Sequence, residues 1–264
     1  MSNSFYQKIA TNKKKVNNHL CIGLDPDIDK IPDHFQKNIN GLEKFLFEVI
    51  ENTSDLCIAY KPNISFFEAF GIEGLKLLAR VRKAIPDNTP VILDGKRGDI
   101  GNTSKMQARY IFDYFGADAS TLHPYMGTDS LSPFFEYKDK FNFVLALTSN
   151  PGAKDFEKLK LESGVPLYQK VVETCVEWNK TYDNIGLVVG ATQNELPEIR
   201  KTAKNLLFLI PGIGKQGGSY SEAVKNGNNK DSLSIINISR SILYCSKQKN
   251  FISEIRKKCL ELCC

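Results

Sequence analysis

Metal-ligand chemistry is the first thing this sequence is short of. Only three histidines, His19, His34 and His123, occur in 264 residues, and they form neither a triad nor a metal cluster. The seven cysteines, Cys21, Cys57, Cys175, Cys245, Cys259, Cys263 and Cys264, include no C-x-x-C pair with a matching partner, which removes the usual zinc spacing. Their odd number, and the apolar runs around Cys21 and Cys57, fit reduced core thiols and a cytosolic compartment. No apolar run approaches the ~18 residues of a membrane span. The opening MSNSFYQKIATNKKK has neither an apolar h-region nor an arginine, so no leader is expected. Linkers, low-complexity tracts, internal repeats and a nucleotide fingerprint are missing as well. The net charge of +5 is spread along the chain, so it marks no nucleic-acid surface and only mildly favours an anionic ligand.

What is present is a strand-then-helix rhythm. Eight β-rich runs occur at 20–26, 57–63, 90–96, 119–124, 143–150, 185–190, 207–212 and 234–240, each almost continuously apolar, as strands covered on both faces must be. Between them the period changes to that of a helix. Leu42, Phe45, Leu46, Val49 and Ile50 make one stripe; Tyr168, Val171, Val172, Cys175 and Val176 make another. Leu75, Leu78, Val81 and Arg82 mark a helix after the second strand, and Thr192-x-x-Glu195 reads as a capping box. Eight such units predict a single-domain (β/α)8 TIM barrel of the α/β class over residues 1–264.

Polar residues gather where the strands end: Asp25, Lys61 with Asn63, Asp94 with Lys96, His123, Thr148 with Ser149, and Arg240. In a barrel those ends share one mouth, the place of active sites. Asp94 and Lys96 stand two apart, so on a regular strand both face the same side. Lys61 offers a second cation from the neighbouring strand, and Asp99 follows just beyond. The expected result is an alternating Lys61–Asp94–Lys96–Asp99 array, in which each cation lowers the pKa of its carboxylate neighbours. A structural ion-pair cluster at a barrel rim is the plainer reading of D-x-K alone. Downstream, Pro211-Gly-Ile-Gly-Lys-Gln216-Gly-Gly is a glycine-rich loop whose backbone N–H groups can approach an anion. Gln216 adds a neutral donor, and Arg240 a guanidinium fork suited to phosphate.

The string D-x-K-R-G-D-I-G-x-T, here Asp94, Lys96, Arg97, Gly98, Asp99, Ile100, Gly101 and Thr103, resembles the signature of the orotidine 5′-monophosphate decarboxylase family. Ordered matches accompany it: G-L-D-P at Asp25, Y-K-P-N at Lys61 and Asn63, T-S-N-P-G after the fifth strand, P-G-I-G-K-Q after the seventh and N-I-S-R after the eighth. The resemblance runs over roughly residues 20–245. It implies cofactor-free and metal-free decarboxylation of orotidine 5′-monophosphate to UMP, with Lys96 as proton donor and Lys61, Asp94 and Asp99 as its catalytic companions. Asp25 and Lys61 would then bind ribose hydroxyls, Asn63 would line the substrate, and Ser149, rather than Thr148, would read the pyrimidine. Pro211, Gln216 and Arg240 would hold the phosphate. Asp99 and Thr103 would reach across a homodimer interface, and an orotate phosphoribosyltransferase stands as a further partner.

Two features stand apart from the resemblance. Ser239 precedes Arg240 where the family often has glycine, and KKCLELCC at the end matches nothing in it. His123 is expected to support the charged array and Arg97 to be structural. The competing readings are a metal-dependent sugar-phosphate decarboxylase or synthase of the same barrel superfamily, and a non-catalytic phosphate-binding barrel.

Overall fold

The computed structural model describes residues 4–192, 194–213 and 218–263. Eight parallel strands appear where the sequence places them: β1 Leu20–Leu24, β2 Ala59–Pro62, β3 Ile92–Arg97, β4 Ala119–Leu122, β5 Phe141–Leu147, β6 Ile185–Val189, β7 Phe208–Pro211 and β8 Ser234–Ile238. Their order, β2-β1-β8-β7-β6-β5-β4-β3, is closed by parallel bridges from Tyr60 to Val91 and from Asn63 to Asp94. The chain is a single-domain (β/α)8 barrel.

The α-helices are α1 Ser4–Val16, α2 Ile39–Glu51, α3 Ser65–Glu68, α4 Gly71–Ala84, α5 Gly101–Arg109, α6 Thr128–Phe135, α7 Leu167–Tyr182, α8 Leu196–Thr202, α9 Tyr220–Gly227, α10 Arg240–Leu243 and α11 Phe251–Cys263. Helix α2 shows why the period of its apolar residues matters. Leu42, Phe45, Leu46, Val49 and Ile50 are all buried, and the Asn38 side chain accepts from the Gly41 N–H to close the first turn. The Thr192/Glu195 capping box is not formed. Helix α8 starts at Leu196 without a side-chain cap, because the Glu195 carboxylate pairs instead with Lys158 at 2.7 Å; an ammonium outcompetes a backbone N–H for that charge.

Alternation along the strands splits the core into two layers. Leu20, Ile22 and Leu24 of β1, like Ile236 and Ile238 of β8, pack outward under the helices. Cys21 and Ile235 face inward with Phe141, Phe143, Val188 and Leu209. Helix α1 closes the floor of the barrel: Phe5 stacks on Phe141 at 5.2 Å and meets Phe143 edge-on. Cys21 and Cys57 are buried as expected, and burial pushes the Cys21 thiol up to about 12. No helix among the described residues is long and apolar enough to cross a membrane.

Candidate active site

At the mouth, β3 departs from regular pairing. Leu93 sits opposite Ser120 and Arg97 opposite Leu122, so β3 carries two extra residues across this interval. The ladder thereby leaves the N–H groups of Gly95 and Lys96 unmatched, and the Thr121 hydroxyl oxygen of β4 accepts both, at 3.1 and 3.0 Å. The same hydroxyl donates to Asp94 Oδ1 at 2.7 Å. Lys96 lies in the left-handed region at φ +45°, which strains a non-glycine residue by on the order of 1–2 kcal/mol. The irregularity, not simple alternation, brings Lys96 Nζ to 3.0 Å from Asp94 Oδ1.

Asp94 also receives Lys61 from β2, Nζ to Oδ2 at 2.5 Å. Lys61 and Asp94 are 4% and 6% exposed, whereas the Lys96 side chain is 43% exposed. One cation is therefore locked in the wall and the other stands partly in solvent. Burial alone would raise the Asp94 pKa. The charges of Lys61 and Lys96, with hydrogen bonds from Lys61 and Thr121, outweigh it and hold the carboxyl well below the usual range. Burial likewise opposes the Lys61 charge, but Asp94 and Asp25 together raise its pKa above the ordinary lysine value.

The cavity beside this pair has a volume of about 210 Å³ and is bordered by Asp25, Lys61, Asn63, Asp94, Pro211, Asn237 and Arg240, among others. Asp25 is held by its backbone: the Tyr244 hydroxyl donates to the Asp25 carbonyl at 2.8 Å and accepts from the Asp27 N–H at 2.7 Å. Arg240 stands exposed at the start of α10 and has no ion pair among the described residues. Gly212, at φ +106°, opens the glycine-rich turn after β7, a backbone setting that side chains avoid. Gln216 lies outside the described residues.

Several expected residues do not join this group. The Asp99 carboxylate accepts from the Ile100 N–H at 2.8 Å and makes no contact with Lys96 among the described residues, so one chain holds Lys61–Asp94–Lys96 without its fourth member. Thr103 is exposed in the first turn of α5. Ser149 does not border the cavity, but its hydroxyl fills the space left by Gly190, where a Cβ would fall 2.3 Å from Ser149 Oγ. Thr148 instead bonds Glu157 through both its N–H and its hydroxyl. The His123 ring packs on Gly98, 3.0 Å from where a Cβ would sit, and does not hydrogen-bond the charged array. Arg97 pairs with Glu68 at 2.7 Å. The side chain of Ser239 lies over Gly23, whose own Cβ would fall 2.6 Å from Ser239 Cβ; the missing side chain on β1 makes room for the serine. Thr121 was missed, since a threonine inside a strand signals only β propensity. Asn237 was missed too, although inward alternation with Ile235 points to it.

A sequence model of the orotidine 5′-phosphate decarboxylase / HUMPS family matches residues 18–255. The chain belongs to this family. Orotidine 5′-phosphate decarboxylase of Herpetosiphon aurantiacus is 44% identical over 255 residues, covering 96% of this chain and 94% of the relative. Among solved structures, OMP decarboxylase of Leishmania donovani superposes with a TM-score of 0.84 at 37% identity, covering 98% of each chain. UMP synthase of Leishmania donovani superposes at 0.87 with 39% identity. It covers 99% of this chain, which spans 56% of that longer one. Family membership fits the placement of the polar residues at the strand ends.

Proposed function

We propose that the protein decarboxylates orotidine 5′-monophosphate to UMP, the last step of de novo UMP synthesis, with no cofactor or metal. The observation that carries this reading is the Lys61–Asp94–Lys96 chain, with contacts of 2.5 and 3.0 Å, at the mouth of a barrel whose relatives bear that activity in their names. In the reaction the bond from C6 to the carboxylate breaks, CO₂ leaves, and the electron pair stays on C6. Lys96 stabilises that charge and then donates the proton that replaces CO₂. Asp94, kept ionised by its two lysines, holds Lys96 charged and oriented.

Remote groups anchor the substrate so that binding energy serves the reacting carbon. Arg240, Gln216 and the backbone around Pro211 take the phosphate, Asp25 and Lys61 the ribose hydroxyls, and Asn63 and Ser149 the remaining polar edge. Buried reduced thiols such as Cys21 and Cys175 support a cytosolic setting. The deciding experiment is an ultraviolet assay with orotidine 5′-monophosphate as sole substrate, run with and without excess chelator. Turnover unchanged by chelator is expected. Loss of activity on chelation would move the enzyme to the metal-dependent sugar-phosphate group, and nucleotide binding without turnover would revive the non-catalytic barrel.

Asp99 and Thr103 complete the site across a homodimer. Support comes from the exposed Ile100 and Met106 beside them, at 58% and 56%, an apolar surface that a second copy would cover. Two homodimers, Lys96→Ala and Asp99→Ala, are each expected to be inactive. After subunit exchange they should recover roughly a quarter of wild-type activity, because half of the dimers are mixed and each mixed dimer carries one intact site. Absence of recovery refutes the shared site.

A further inference from the structure

Three side-chain oxygens on one wall of the cavity are fully enclosed and have no hydrogen-bond partner among the described residues: Asp25 Oδ1, Asn237 Oδ1 and Ser239 Oγ. Elsewhere among the described residues only Gln107 Oε1 and Asn184 Oδ1 are enclosed without a partner, while other buried polar groups of the barrel are paired. Ser120 donates to Asn142, Asn142 donates to the Phe134 carbonyl, and Asn228 accepts from both the N–H and the hydroxyl of Ser234. Three of the five enclosed, unpartnered side-chain oxygens among the described residues thus gather at this one cavity. Native structures leave few such groups without a reason, and a ligand that supplies the partners is one.

Asn237 is the member whose placement is most informative. Its neighbours Ile236 and Ile238 pack outward and Ile235 packs inward, so the pleat turns Asn237 into the barrel. It is 7% exposed. It pairs in register with Cys21 on one side and Pro211 on the other, which sets it between the Asp25 end and the phosphate end of the cavity. Its Oδ1 and Ser239 Oγ both lie 3.2 Å from the point where a Gly23 side chain would stand. Donor and acceptor chemistry then selects the ligand group. A carboxylate oxygen and an amide oxygen, such as Asp25 Oδ1 and Asn237 Oδ1, accept, and so does a phosphate dianion, so a phosphate cannot satisfy those two atoms. A sugar hydroxyl both donates and accepts, as the asparagine amide and the serine hydroxyl do.

We propose that Asn237 is a specificity-determining residue that, beside Asp25, reads a hydroxyl of the substrate's ribose and so favours ribonucleotides over deoxyribonucleotides. The inference rests on the nucleoside-monophosphate reading above and deepens it. The test is calorimetric titration of the full chain with UMP, 2′-deoxy-UMP and 3′-deoxy-UMP, for wild type and Asn237→Leu, with melting temperatures recorded in parallel. Loss of one buried hydrogen bond should weaken UMP binding roughly tenfold. Binding of the deoxynucleotide that lacks the hydroxyl read by Asn237 should hardly change, so that its ratio to UMP contracts by the same factor. Equal losses for all three nucleotides, or no loss, overturn the proposal. Asn237→Thr, smaller but still able to hydrogen-bond, gives the same reading if the leucine variant does not fold, and should keep part of the discrimination. Wild type that binds no UMP would overturn the activity and this inference together; discrimination intact in the variants overturns the inference alone.

Discussion

Among the described residues two cationic side chains, Lys61 and Arg200, are buried, and they are handled in opposite ways. Lys61, near the mouth, is paired with a carboxylate at 2.5 Å and borders a cavity. Arg200, on α8, is 4% exposed and has no carboxylate partner among the described residues. Its guanidinium donates to the carbonyls of Gly227, Ala203, Leu206 and Leu233 and lies 3.4 Å over the Phe208 ring. Burial presses the Arg200 pKa down, with little help from nearby Tyr6, while Lys61 is raised by Asp94 and Asp25. Arg200 stitches together chain segments that would otherwise end in open carbonyls, a task for a five-donor group. Lys61 belongs to a linked set of charges that extends through Asp94 to the solvent-exposed Lys96. On the proposed function, the difference separates charge used to finish a fold from charge kept for chemistry.

Lys96→Ala breaks the second class most severely. On the proposed mechanism it removes both the electrostatic stabilisation of the carbanion and its proton source, each worth ~10²-fold or more, so kcat should fall by roughly 10⁴-fold or further while UMP binding survives in a calorimetric titration. Near-normal turnover removes Lys96 from the proton-transfer role. Arg200→Met should do the reverse. Leaving several buried carbonyls unpaired costs about 2–4 kcal/mol of stability, visible in urea unfolding, while kcat of the folded enzyme stays within about twofold. A large loss of kcat with unchanged stability would erase the distinction between the two cations.

The sequence made much of this legible, for physical reasons that differ by element. The strands stood out because a sheet covered on both faces needs continuous apolar runs, and β1, β5 and β6 are of that kind. Strand-end residues were legible because a parallel barrel sends every C-terminal end to one mouth, which puts Asp25, Lys61, Asp94, Pro211 and Arg240 in one neighbourhood. What did not show was whatever depends on departure from the ideal strand. The two-residue irregularity in β3 cannot be read from D-G-K-R, so the role of Thr121 stayed hidden. The Glu195 cap failed for a related reason: local spacing predicted a helix start, and a lysine 37 positions away in sequence claimed the carboxylate.

Thr121 gives the finest test of the contrast, because it serves both fold and site. One hydroxyl accepts from two backbone N–H groups and donates to Asp94, and one of those N–H groups belongs to Lys96 in its strained conformation. Thr121→Val keeps the shape but removes all three contacts, at a cost of about 1–3 kcal/mol in stability. The depressed pKa of Asp94 contributes stability that is present above the ordinary carboxylate value and lost as pH falls through the lower native one. Losing a donor moves that native value upward, so part of this stability is gone at neutral pH and the acid-unfolding midpoint shifts to higher pH. The raised pKa of Lys61 works at the other end: its contribution is present below the ordinary lysine value and lost only in strong alkali. Because Thr121 does not bond Lys61, the alkaline limb of the variant should parallel the wild type. In the assay kcat should fall about tenfold, less than for Lys96→Ala, since the proposed proton donor is still there but less firmly aimed. An acid limb unchanged in the variant would show that the two lysines alone keep Asp94 ionised, and Thr121 would then belong with Arg200 among the residues that only complete the fold.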